Sequence, residues 1–234
     1  MRPALPFDTD LATGGVLSFI GGLVDAVGFI SLFGLFTAHV TGNFVIIADQ
    51  LAIGGGGVIA KVLALPVFML AVAVARIIAL VLERRNISPS TPLLSLEAVL
   101  LVGAGAWGLA LSPISHPDAA GPIMIGMLAV AAMGVQNGFG RLAIAHLPAT
   151  TVMTVNVAQL TIDVVDLALA RNRTKGPALG RVLRMGASVT CFGLGAFAGA
   201  FGFALWSFAV LAIPALLLLL TIVVIRRRAA PPKG

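Results

Sequence analysis

Between Val24 and Asn43 the sequence reads VDAVGFISLFGLFTAHVTGN, which sets Asp25, His39, Thr41 and Asn43 into an otherwise apolar stretch. An aspartate brings a charge and two acceptor oxygens, a histidine brings a proton acceptor that works near neutral pH, and an asparagine amide both donates and accepts. Without partners in hydrocarbon each such group costs several kcal/mol. Their concentration therefore marks a place where an ion, a proton or a polar solute is held. A half-chain later, MGVQNGFGRL and TVMTVNVAQL add Gln136, Asn137, Arg141, Thr154 and Asn156. Asp25 is the one carboxylate of this set, and a single negative charge among neutral amides suits a cation or a proton. Arg141 is the cation that would balance it. In Thr41-Gly42-Asn43, glycine permits an unusual backbone and asparagine presents an amide, so the triplet reads as a break in a helix that exposes ligand groups.

The elements that must carry these residues are membrane spans. Hydrophobic residues make up 59% of the chain and charged ones only 10%, with a mean hydropathy of +1.07. Apolar segments run over Gly14–Phe33, Val40–Ile53, Val58–Leu82, Leu93–Ser112, Gly121–Gly140, Thr150–Ala170 and Val182–Ile225. The first reads as a retained span rather than a cleaved signal. The last is long enough for two spans with a turn within Gly202–Ser207. Positive residues stay cytoplasmic. Arg171, Arg173, Lys175, Arg181 and Arg184 crowd one connection and Arg226, Arg227, Arg228 and Lys233 the C-terminus, whereas 113–120 has none. Loop 113–120 is thus external, and Thr150–Ala170 must enter and return because Arg141 and Arg171 share a side. The fourteen residues of Val40–Ile53 are too few to span. Six crossings remain, with both termini cytoplasmic and Lys61 the one positive residue out of place.

The halves repeat. Gly22, Asp25 and Gly28 match Gly134, Asn137 and Gly140 at a shift of 112, and Thr37, Thr41 and Asn43 match Thr150, Thr154 and Asn156 at 113. With three crossings in each half, the second copy must be inverted. The predicted fold is an all-α integral membrane protein, one domain over 1–234. Repeat 1 covers about 11–112, repeat 2 about 121–226, and a basic cytoplasmic tail 226–234. Each repeat contains a short broken or re-entrant segment, an architecture that secondary transporters use. The motifs GLVDAVGFISLFGLFTAHVTGN, MGVQNGFGRL and TVMTVNVAQL also resemble those of the YoaK-like family of uncharacterised six-span bacterial inner-membrane proteins. That resemblance covers nearly the whole chain and implies the fold and the inner membrane; the family carries no established activity. The second half departs from the family pattern in having Val155 where the glycine of a Met-Thr-Gly element is usual.

Other features read as structural. GAGAWG at 103–108 matches a dinucleotide fingerprint but lies in an apolar span with no preceding strand. Gly195 and Gly199 have the spacing of close helix packing, within the chain or in a homo-oligomer. The one cysteine and three histidines have no metal-site spacing. Neither a metal nor a cofactor is expected. The net charge of +6 lies at span ends rather than on a nucleic-acid-binding face. Membrane lipids and a small solute or ion are the expected partners. The function the sequence points to is a secondary transporter or channel coupled to a proton or cation. The site residues would be Asp25, His39, Thr41, Asn43, Gln136, Asn137, Arg141, Thr154 and Asn156. The alternatives are a small intramembrane enzyme acting on a lipid or quinone, with Asp25 and His39 as acid and base, and a non-catalytic membrane assembly protein.

Overall fold

The computed structural model describes residues 7–169 and 175–229; Arg171, Arg173 and Lys233, used above for topology, lie outside the described residues. All regular elements among the described residues are helices: α1 Phe7–Ser31, α2 Asn43–Ile53, α3 Val58–Arg84, α4 Ser90–Leu111, α5 Ala120–Ala143, α6 Met153–Leu169, α7 Lys175–Trp206 and α8 Ala212–Ala229. Local chemistry sets their ends. Phe33 and Gly34 (φ 56° and 84°) turn the chain after α1, and Gly57 (φ 83°) precedes α3. Asn86 (φ 56°) and Pro89 separate α3 from α4. Pro92, Pro122 and Pro214 fall in the first turns of α4, α5 and α8, where a missing N–H breaks no helical hydrogen bond.

Five stretches are long and apolar enough to cross a membrane: 11–31, 58–84, 90–111, 120–143 and 178–227. The fifth is fifty residues long and is divided where Ser207 takes φ 51° and a 3₁₀ turn covers Ser207–Leu211. This turn starts near the end of the predicted 202–207 window. The eleven residues of α2 and seventeen of α6 cover about 17 and 25 Å at 1.5 Å per residue, short of a ~30 Å hydrocarbon core.

Apolar surface drives no helix pairing in lipid, so small residues at the contacts matter more. On α3, Ala60, Ala64, Ala71, Ala75 and Ala79 are buried while Val62, Met69 and Leu70 face outward. Added side-chain carbons at Gly134 and Gly138 of α5 would lie 2.7 Å from Ala71 and 2.8 Å from Ala75. The matched order of these pairs makes α3 and α5 parallel. Gly195 and Gly199 of α7 rest on the backbone at Phe19 and Leu23 of α1, again in parallel order, and Gly22 of α1 rests on Phe192. These glycines thus pack within the chain. Gly103 of α4 lies against Leu128 of α5 and Gly121 of α5 against Leu111 of α4, so these two helices run antiparallel; Gly105 and Gly108 meet Leu211 and Phe208 in reverse order, so α4 also runs antiparallel to the 3₁₀ turn that leads into α8. The GAGAWG stretch is a packing face of α4.

Lys61, the positive residue that the expected topology leaves out of place, is buried on α3, where its Nζ donates to Phe33 O (2.8 Å) and Gly57 O (3.1 Å). Asp118, from the loop between α4 and α5, accepts from Gly57 N (2.9 Å) and Ile59 N (3.4 Å) at the start of the same helix. The Lys61 ammonium is thereby held by two carbonyls in the same corner as the Asp118 carboxylate.

Candidate functional site

Beyond α1 the chain folds back and passes beside Asp25. This needs Gly28, where a Cβ would fall 2.6 Å from the Thr37 methyl and 3.0 Å from Leu35 O. Asp25, 5% exposed, uses both oxygens. Oδ1 accepts from Thr37 N (2.7 Å), Ala38 N (2.8 Å) and Thr37 Oγ1 (3.3 Å). Oδ2 meets His39 Nδ1 at 2.7 Å. A carboxylate only accepts, so with Asp25 ionised it is Nδ1 that donates. The His39 side chain is 34% exposed and its ring stands edge-on to Phe192 of α7, 5.4 Å between centroids. Asn43, at the start of α2, grips the backbone of Phe36: Oδ1 accepts from Phe36 N (2.9 Å) and Nδ2 donates to Phe36 O (2.8 Å).

The second break repeats the device with different chemistry. Asn156, at the corresponding place on α6, donates to Ala149 O (2.6 Å), seven residues back as Asn43 is from Phe36. Asn137 Oδ1 accepts from Thr151 Oγ1 (2.9 Å), while its Nδ2 donates to Met133 O (2.9 Å). Gln136 Nε2 donates to Leu17 O of α1 and to Thr150 Oγ1, both at 3.0 Å. Through Gln136, α5 holds the second break against α1. Ser188 of α7 closes the group through Ser18 Oγ (2.7 Å) and Asn156 Nδ2 (3.4 Å). Both breaks therefore lean on α1, the first at Asp25 and Gly28 and the second at Gly21, with Gln136 of α5 bridging it to Leu17. Gly21 and Gly28 are about 10 Å apart along the helix axis.

Several predicted site residues are arranged differently. Asn43 and Asn156 each bind their own break, and no hydrogen bond joins them among the described residues. Thr41 and Thr154 are exposed: each lies two residues before an inward asparagine and faces the other side of its turn. Thr37, Thr150 and Thr151 are the buried threonines of the breaks. Arg141 is exposed and makes no ion pair among the described residues. It does not balance Asp25, whose partners all belong to the first break. It borders a cleft of about 30 Å³ with Asn137, Pro148 and Thr150, room for about one water molecule. A cation does find a carboxylate farther on. Arg181 Nε and Nη2 donate to Asp163 Oδ1 at 3.0 and 2.9 Å, joining α7 to α6, and these donors hold the Asp163 carboxyl below its ordinary value. Among the described residues no three of His, Cys, Asp and Glu gather as metal ligands.

This fold extends over the region 13–224, which matches the family described as Protein of unknown function (DUF1275). The chain belongs to the DUF1275 family. No curated protein and no solved structure matches it. In this DUF1275 chain the Phe36 backbone is the anchor of the first break, and Asn43→Ala would leave its N–H and C=O unpaired. We expect a loss of about 2–4 kcal/mol. Asn156→Ala, with one strong backbone bond to lose, should cost about 1–2 kcal/mol. Thermal unfolding in detergent would test both, and an unchanged midpoint for Asn43→Ala would show that the clamp does not hold the break.

Proposed function

We propose that the chain is a secondary transporter or channel of the bacterial inner membrane, moving a small solute together with a proton or cation. In this reading it crosses six times, α1, α3, α4, α5, α7 and α8, as two inverted three-span halves with cytoplasmic termini. Parallel packing of α1 with α7 and of α3 with α5, and antiparallel packing of α4 with α5 and with the turn that leads into α8, agree with that alternation of directions. The observation that carries the reading is the asparagine clamp found once per half, Asn43 on Phe36 and Asn156 on Ala149. The two breaks that these clamps hold lean on α1 at Gly28 and at Gly21, about 10 Å apart along its axis. Paired interrupted segments at the interface of two inverted repeats are how many secondary transporters build sites near the midplane. Asp25 then supplies the fixed negative charge, His39 Nε2 receives a proton from the open side, and Asn137 with Arg141 borders the solute path.

A thermal-shift screen of solutes and ions would find the ligand, since whatever binds the folded state raises its melting temperature. Uptake of that ligand into proteoliposomes is the test, and a protein that binds a solute without moving it would refute transport. Reporter fusions at the C-terminus and at Ser115 address topology separately. We expect the first to read cytoplasmic and the second external; an external C-terminus would overturn the inverted repeat.

A further inference from the structure

Glu97 is the one charged residue of α4, and neither the two breaks nor the ion pairs use it. Its side chain has no exposed surface, and neither carboxyl oxygen has a hydrogen-bond partner among the described residues. The helices packed on α4 bring no compensating charge. Continuing the antiparallel registers set by Gly103 with Leu128 and Gly105 with Leu211, Glu97 comes level with the neighbourhood of Gly134 on α5 and Leu219 on α8. The charged groups of those helices are Arg141 on α5 and the terminal arginines of α8 from Arg226 on. Each begins about 10 Å farther along its axis at 1.5 Å per residue. Arg141, Arg226 and Arg227 are exposed, and the 3₁₀ segment Ser207–Leu211 has no charged residue.

A carboxylate in such a place would lose its hydration and gain neither cation nor donor, so the group neutralises by holding a proton. As a neutral acid it becomes a donor, and α5 carries another buried acceptor without a partner, Gln136 Oε1. We infer that Glu97 is a membrane-buried proton-binding site, loaded while α4 is packed between α5 and α8 and emptied only when those helices part and admit water. Its use in driving solute movement rests on the transport reading above; its occupancy by a proton does not.

The chain has two glutamates, Glu83 and Glu97, so labelling glutamate side-chain carboxyls with carbon-13 observes the site without mutation. Glu83 is half-exposed, 3.9 Å from Arg76, and serves as the water-facing reference. Infrared spectra of wild-type protein in lipid nanodiscs at neutral pH should divide the labelled signal equally between protonated acid and carboxylate. Glu97→Gln should remove the protonated half and leave the other. A wild-type spectrum with only the carboxylate signal would overturn the site, as would a protonated signal that survives Glu97→Gln. If that variant does not fold, the wild-type spectrum alone decides. A protonated Glu97 in a protein that moves no solute would remove transport and leave the site standing. An ionised Glu97 would remove the site and leave the transport reading with Asp25 and His39.

Discussion

Gly195→Ala is expected to keep α7 from seating on α1, with a loss of 3 kcal/mol or more, roughly the upper end for an overpacked core. The added methyl would collide with the carbonyl of Phe19. That obstacle is helix backbone, which cannot change rotamer, so relief requires the two helices to separate. Separation would weaken other contacts along the same seam. Gly199 lies on the backbone at Leu23, Gly22 on Phe192, and the Ser18–Ser188 hydrogen bond crosses between them. The control is on the same helix: a Cβ at Gly193 or Gly186 would meet nothing within 4 Å. Alanine there should be neutral, or stabilising by about 0.5–1 kcal/mol through helix propensity. Thermal unfolding and size-exclusion profiles of the three variants would separate the cases. A Gly195→Ala protein that melts with the wild type would mean that the α1–α7 seam is looser than described.

At Asp25 the two obvious substitutions should diverge. Asp25→Ala removes the acceptor for two backbone N–H groups and the Thr37 hydroxyl and leaves His39 Nδ1 unpartnered. Several buried donors would then be unsatisfied, at a cost of about 3–5 kcal/mol. Asp25→Asn retains an oxygen for Thr37 and Ala38, and its amide nitrogen can donate to His39 once Nδ1 becomes the acceptor tautomer. The second half already has Asn137 at the matching place. This variant should fold and melt within about 1–2 kcal/mol of the wild type, yet lack the negative charge that attracts a proton or cation. With a substrate in hand, its ion-coupled uptake should fall to background. Wild-type uptake by Asp25→Asn would reject Asp25 as the coupling residue and leave it the role of fastening the first break.

How much of this was legible beforehand depends on the range of the physics. Span positions followed from hydropathy because transfer from water to hydrocarbon is nearly additive along a chain, and predicted Val58–Leu82 and Gly121–Gly140 differ from α3 and α5 by only a few residues. The first break was legible at HVTGN because helix interruption is local, whereas the second lies at 144–152, ahead of most of TVMTVN, whose Met153–Asn156 begin α6; the sequence match of the halves is a shift of 112 to 113. Hydrogen-bond partners were another matter. Which way an amide points depends on the rotation and depth of neighbouring helices, set by glycine contacts far apart in sequence such as Gly195 on Phe19. So the sequence located Asn43 and Asn156, while tertiary packing assigned them to Phe36 and Ala149 and left Thr41 and Thr154 exposed. Thr37 and Thr150 were visible as repeat partners, but only the fold made Thr37 a donor to Asp25 and Thr150 an acceptor for Gln136. Glu97 and Lys61 mark the sharpest division. One is a lone glutamate in an apolar run and the other a lysine that the expected topology puts on the wrong side of a charge rule. Whether such a charge is neutralised or partnered depends on what surrounds it in three dimensions: two carbonyls near Asp118 for Lys61, and no polar partner at all among the described residues for Glu97.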